Sequence, residues 1–181
     1  MFILLTMFML MMFIVKKWTI NTTLERVEDD LTMSALGSMQ YNAVELSING
    51  NLVLDDNTGN VNDTYKTLCT LLAENLDIMP ISNSQFWSFK GTSPYFVAED
   101  GDCYIETAIF YNVRKNNIRV YTYNKSGVVS KTETINANTT TAPTGDEITA
   151  TSVYLFFHFP MEYYGKKIDV KKAVVVGMDR D

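Results

Sequence analysis

The chain opens with an uninterrupted apolar run and then changes to a helical pattern of apolar and polar positions. Met1–Val15 holds no charged residue and only Thr6 as a polar one. Past Trp18, apolar or small residues recur at steps of three and four, at Leu24, Val27, Leu31, Ala35 and Ser38. This spacing predicts one long helix from near Phe2 to about Met39 or Gln40, apolar all round in its first half and amphipathic in its second.

The next segment carries a turn signal and a second helical pattern. Val44, Leu46 and Ile48 alternate with polar residues, and Asn49-Gly50 precedes Leu52 and Leu54, which predicts a short hairpin because both turn positions favour positive φ. Asn62 or Asp63 can then cap an amphipathic helix that ends before Pro80. Its apolar face comprises Tyr65, Leu68, Cys69, Leu72 and Leu76.

From Pro94 onward the apolar period changes to two. Strands are expected at about 103–113, 117–124, 127–135, 148–159 and 168–176, the first three forming an antiparallel meander because short turns join them. The stretch 136–146 has no apolar periodicity and is expected to be an exposed loop. The predicted class is α+β, with a helix over residues 1–40 and one head domain over 41–181 packed on its amphipathic half.

Composition alone is ordinary for one globular domain, but charge is unevenly distributed. The 181 residues are 46% hydrophobic, with a formal net charge of −6. Residues 25–106 carry fourteen acidic and three basic side chains, whereas residues 107–181 carry seven acidic and ten basic. This polarity indicates either attraction between neighbouring copies or ordinary solvated faces. The acidic balance and the lack of a basic patch with interleaved aromatics argue against a nucleic-acid partner.

The apolar run predicts a membrane anchor. It covers roughly 22 Å, against about 30 Å for a hydrocarbon core, and the basic and aromatic residues after it are typical of the membrane surface. A secretory signal peptide is the alternative, but it needs a basic stretch before the run and a small-residue cleavage site after it, and this sequence contains neither. The residues assigned to the membrane or assembly helix are Phe2, Leu5, Phe8, Met12, Phe13, Lys16, Lys17 and Trp18.

The orientation of the anchor has two interpretations. Lys16 and Lys17, taken by the positive-inside rule, place the rest of the chain in the cytoplasm. The abrupt apolar start is typical of a processed or truncated chain, from which a basic leader is missing, and the remainder is rich in Asn, Thr and Tyr with two cysteines. We therefore expect a single-pass protein with an extracytoplasmic head domain.

The residues that could perform chemistry form no recognised catalytic motif. His158 is the only histidine and lies in an aromatic strand, which favours a structural role, and no Gly-x-Ser-x-Gly sequence occurs. Asp55–Asp63 has the composition of a calcium loop without its ligand spacing, so a solvated turn is expected. Glu99, Asp100, Asp102 and Glu106 cluster without a specific signature of paired-carboxylate hydrolysis. No cofactor, metal site or catalytic residue is predicted.

Cys69 and Cys103 are the only cysteines. In an oxidising compartment they could form a disulfide that closes a loop of about 35 residues, worth about 3 to 4 kcal/mol by the chain-entropy estimate. Two separate buried thiols are the alternative. There is no Cys-x-x-Cys motif or Cys/His cluster, which argues against zinc binding and redox catalysis.

The layout as a whole resembles that of type IV pilins, and more closely that of TadE-like minor pilins and pseudopilins. The resemblance rests on Phe2–Val15 and on LERVEDDLTMSALGS at 24–38, followed by a connecting region and a C-terminal sheet. The acidic residue that many pilins carry in the apolar helix is absent from Met1–Val15. The resemblance implies a structural subunit of a surface filament or of a secretion or conjugation apparatus, with the membrane, other assembly subunits and its own copies as partners. A non-polymerising anchored binding domain and an anchored hydrolase are the alternatives.

Overall fold

The computed structural model describes residues 2–39, 42, 46–47, 53–55, 60–82, 87–115, 117–125, 127 and 129–177, and it confirms the α+β class. Among these residues, the helices and strands with defined bounds are α1 and α2, followed by β1 to β9 in chain order. Helix α1 is Phe2–Ser38 and helix α2 is Asn60–Asn75. The strands are β1 Met79–Ser82, β2 Trp87–Thr92, β3 Val97–Arg114, β4 Asn117–Tyr123, β5 Val129–Ile135, β6 Thr140–Thr141, β7 Glu147–Ile148, β8 Ser152–Tyr163 and β9 Lys166–Gly177.

Helix α1 is continuous over 37 residues, or about 55 Å at 1.5 Å per residue. Its C-terminal part, which we call the packed half (Leu24–Ser38), buries the face that the periodicity predicts. Val27, Leu31 and Ala35 are fully buried in the core, and Leu24 packs against it. The apolar residues of the first half, in contrast, are exposed.

Helix α2 packs against the packed half of α1, and its predicted apolar face is confirmed as buried. The approach is close at Gly37, where a Cβ atom would lie 2.9 Å from Cδ1 of Leu71. A polar contact joins the same two helices, since Asn75 Nδ2 donates to Ser34 Oγ at 2.8 Å. Helix α2 ends at Asn75, before Pro80 as predicted, and Asp77 adopts a positive φ of 51° in the turn that follows.

Seven strands form one antiparallel sheet around the long strand β3. The N-terminal half of β3 pairs with β2 and its C-terminal half pairs with β4, both along one edge of β3. Strand β8 pairs along the opposite edge of β3. The meander β3–β4–β5 is confirmed, and β9 continues the sheet beyond β8. The register of β3 against β8 shifts between Ile105 and Thr107, so Glu106 sits in a β-bulge.

The two faces of the sheet have separate cores. One face packs on α1 and α2 through residues such as Phe89, Phe110 and Phe157. The other buries Tyr111 and Ile118 with residues of the segment that precedes β8.

The expectation of an exposed loop at 136–146 is therefore wrong in part. Strands β6 and β7 pair there as a small hairpin, and Ala142 is buried against the sheet.

Other differences from the predicted elements are local. Strand β3 begins at Val97 rather than near 103, and β1 and β2 were not predicted, because they are short and interrupted by Pro80 and Gly91. The hairpin predicted over 44–54 lies mostly outside the described residues, but Leu46 and Ser47 are helical, so that part of its first strand is wrong. The predicted domain boundary at 40–41 also lies outside them.

Candidate functional site

The apolar half of α1, Phe2–Val15, presents its side chains outward on every face. Its large apolar side chains are exposed by 50% at Val15 to 78% at Phe2, including the predicted anchor residues Leu5, Phe8, Met12 and Phe13. An apolar surface of this extent is unfavourable in water. By length and composition α1 is able to cross a membrane.

The polar side chain inside this run does not oppose insertion into lipid. Thr6 Oγ1 donates to the carbonyl oxygen of Ile3 at 2.8 Å, and beyond the run Thr19 Oγ1 donates to that of Val15 at 2.9 Å. These bonds satisfy the hydroxyls within the helix, which is the requirement for polar groups in a hydrocarbon environment. In each bond the hydroxyl donates to a carbonyl oxygen three or four residues earlier in the helix. The sequence pattern predicted the apolar residues of the helix but not these two bonds.

A second element lies beside the end of the apolar half. The turn between β8 and β9, which we call the hairpin tip (Tyr163–Lys166), places the Tyr164 ring 4.5 Å from Lys16 Nζ. A groove of about 250 Å³ between them is lined by Phe13, Lys16, Lys17, Ile20, Tyr163 and Tyr164. The hairpin tip was not predicted from the sequence. Its signal was the Tyr-Tyr-Gly-Lys-Lys stretch between two alternating segments.

The acidic cluster predicted between 99 and 106 is divided by the structure. Glu99 and Asp102 both contact Lys167 next to the hairpin tip, with Glu99 Oε2 at 3.3 Å from Lys167 Nζ. The hydrogen bond with Asp102 raises the pKa of Lys167, and Glu99 adds to this effect. Glu99 and Lys167 are exposed and Asp102 is only partly buried, so the contacts organise the surface more than they stabilise it.

Glu106 instead contacts His158, which the structure buries almost completely. The imidazole lies between two carboxylates: Glu106 at Nε2, and Asp169 Oδ2 at 3.1 Å from Nδ1. It also stacks on Tyr104 with ring centroids 4.5 Å apart. The two contacts join β3, β8 and β9 through the side chains of Glu106, His158 and Asp169.

Cys69 and Cys103 are free thiols in the structure, and both are fully buried. Burial raises the pKa of Cys69 to about 12 and also raises that of Cys103. Thiols of this kind are unreactive at neutral pH. Among the described residues, no three His, Cys, Asp or Glu side chains converge as metal ligands. Most of the calcium-like stretch 55–63 lies outside the described side chains.

The features brought together by the fold are therefore an exposed apolar helix, the basic and aromatic residues at its end, and the hairpin tip beside them. Comparisons with protein-family models, curated proteins and solved structures find no match to this chain, so the function proposed for it rests on these residues alone.

Proposed function

We propose that the protein is a structural subunit of a surface filament or of a secretion or conjugation apparatus, anchored in the membrane by the apolar half of α1. Its head domain, on this proposal, lies outside the cytoplasm. The observation that supports the proposal is that one continuous helix provides both an exposed apolar segment and part of the core of the head. The same α1 that exposes an apolar surface over Phe2–Val15, interrupted only by Thr6, packs its second half into the core of the head.

This continuity favours assembly over simple tethering. A tether needs no fixed orientation, whereas α1 holds the apolar half rigidly to the head through Val27, Leu31 and Ala35. Neighbouring copies that pack their apolar halves together would thereby also place their heads in fixed register. Five of the methionines lie between Met1 and Met12, and unbranched thioether side chains adapt well to helix packing in lipid or between subunits.

The anchor is tested by replacing Leu10, Met11 and Phe13 together with Ser. The full-length variant is expected to move from the detergent-rich phase to the aqueous phase on phase separation, because the remaining apolar run is too short to hold it in lipid. The matched control replaces Met79, Val97 and Ile168 with Ser, since these are exposed apolar residues of the head. Unchanged partitioning of the anchor variant contradicts the anchor.

Assembly is tested by a cysteine at position 9 of the full chain in native membranes. Met9 is 67% exposed, and the native cysteines are buried and unreactive. A bifunctional thiol-specific cross-linker should convert most of the protein to a covalent dimer, which is the largest product that one accessible thiol per chain allows. A cysteine at Thr134, on the exposed surface of β5, is the control for random collision. A membrane-bound protein that stays monomeric at position 9 contradicts the structural-subunit proposal and supports a non-polymerising anchored domain.

A further inference from the structure

The hairpin tip lies where the anchor helix must leave the membrane. Phe2–Val15 spans about 21 Å, which is less than the roughly 30 Å of hydrocarbon that a spanning helix crosses with about 20 residues. To cross, α1 must bring residues up to about Ile20 to the lipid boundary, with the ammonium groups of Lys16 and Lys17 reaching outward to the headgroups. Tyr164 contacts Lys16 and is therefore carried to the same level.

The side chains at this level have the chemistry of a membrane surface. Tyr163 and Tyr164 are 44% and 49% exposed, and Trp18 is 68% exposed. Aromatic residues with a polar end are enriched where headgroups meet the hydrocarbon region. Lysines 16, 17 and 166 supply positive charge, and all three side chains are exposed. Each lysine near an anionic membrane surface adds to the attraction.

The tip is held in a defined conformation. Tyr163 pairs with Lys166, so Tyr164 and Gly165 form a two-residue turn, and both adopt positive φ, of 49° and 72°. The two tyrosine rings pack edge to face with centroids 4.6 Å apart. The hairpin behind them is paired over twelve residues of each strand. The tip therefore meets the membrane as a preorganised element rather than as a loop that must first be ordered.

We propose that the hairpin tip is a second membrane contact, which docks on anionic phospholipid headgroups and fixes the tilt of the head on its anchor. This rests on the proposed anchoring by α1. The groove between the tip and α1 is lined by Lys16 and Lys17 on the helix and by Tyr163 and Tyr164 on the tip, so a headgroup phosphate bound there would meet positive charge and aromatic side chains. Continuity with the anchor identifies the occupant as lipid, because the groove begins at Phe13, inside the apolar half.

The experiment uses the full chain in phosphatidylcholine vesicles with and without phosphatidylglycerol. A fluorophore is attached to a cysteine at Glu162, an exposed residue next to the tip that leaves its tyrosines and lysines intact. A cysteine at Thr134 is the control. Thr134 pairs with Arg119, which pairs with Asn112, so it lies at the end of the sheet opposite the tip. Nitroxide lipids labelled at the headgroup are the quencher.

We expect severalfold stronger quenching at position 162 than at position 134, and more with phosphatidylglycerol than without. Replacing Tyr163 and Tyr164 with Ser should lower the signal at position 162 toward that at 134, with flotation and thermal unfolding unchanged. A protein that floats with vesicles but shows equal quenching at both positions contradicts the tip contact and leaves the anchor intact. Failure to float contradicts the anchor itself. Quenching that appears only at high protein-to-lipid ratio assigns the groove to a second copy and overturns the inference.

Discussion

Asn112 joins two parts of the chain that are 58 positions apart. Its Nδ2 donates to the carbonyl oxygen of Leu54 at 3.1 Å, and its Oδ1 accepts from the backbone N–H of Leu54 at 3.0 Å. Asn112 lies near the C-terminal end of β3, where it is fully buried, and Leu54 is also buried. One side-chain amide thus replaces a backbone ladder and holds the connecting segment against the sheet.

Replacing Asn112 with Ala should lower the free energy of unfolding by about 2 to 4 kcal/mol, because two buried backbone groups of Leu54 lose their partners. The measurement is denaturant unfolding of the full chain in detergent. Asn138→Ala, at an exposed position, is the matched control and should change the free energy by less than about 0.5 kcal/mol. If the two variants unfold alike, the clamp has no energetic role.

Residue-scale prediction from sequence succeeded where partners are close in the chain and failed where they are distant. The buried face of α2 follows from positions one helical turn apart, and Tyr65, Leu68 and Leu72 are buried as expected. The carboxylate partners of His158 could not be predicted. They depend on the register of three strands and on the bulge at Glu106, and local spacing determines neither.

At the scale of elements, the opposite charges of the two halves of the sequence meet within one chain. Glu28 of α1 contacts Lys172 of β9 at 2.6 Å, and Lys167 of β9 contacts Glu99 and Asp102 of β3. Strand β9 thus brings basic residues of the C-terminal part against the acidic part. Some of the charge polarity that could attract neighbouring copies therefore organises the head itself.

Asp30, near the middle of the packed half of α1, is partly buried, which is unfavourable for its charged carboxylate form. Burial raises its pKa above the ordinary 3.8, the hydrogen bond with Tyr95 opposes this shift, and neighbouring Asp29 adds to it. The folded chain therefore binds this proton more tightly than the unfolded chain does. The free energy of unfolding should consequently fall as pH rises from below 3.8 through the higher folded-state pKa, and the cost persists at neutral pH.

Asp30→Asn should remove this pH dependence and raise the free energy of unfolding at pH 7 by about 0.5 kcal/mol, with no gain below pH 3.8. The amide oxygen still accepts from Tyr95. Unfolding is measured across acidic and neutral pH in the full chain. Glu25→Gln, an exposed carboxylate on the same helix, is the control for the loss of one negative charge. A larger gain at low pH than at neutral pH contradicts the assignment.

Element-scale prediction depended on the length and regularity of each segment. Strands β4, β8 and β9 are seven to twelve residues long, and their approximate positions were predicted. Strand β1 has four residues and contains Pro80, and β2 is paired through an irregular register near Gly91, so neither shows a clear period of two. The β6–β7 hairpin escaped detection because each strand has only two residues.

At the scale of the whole molecule, one core unites both helices with one face of the sheet. Val27 and Leu31 of α1, Cys69 of α2 and Cys103 of β3 belong to the same cluster of buried side chains. Elements whose buried side chains belong to one shared core are expected to unfold together. The apolar half of α1 takes no part in that core, so its environment and the stability of the head are separable.

The two native thiols report on this cooperativity without any substitution. Both are buried, and burial raises the pKa of Cys69 to about 12, so neither should react with a thiol reagent in the native full chain. In rising denaturant Cys69 and Cys103 should become reactive in one transition with the same midpoint, because exposing either requires opening the common core. Mass spectrometry of the modified peptides assigns each site, and a cysteine at exposed Thr134 should react before any denaturant is added. Modification of Cys69 at a clearly lower denaturant concentration than Cys103 would mean that the helical layer detaches from the sheet as a separate unit.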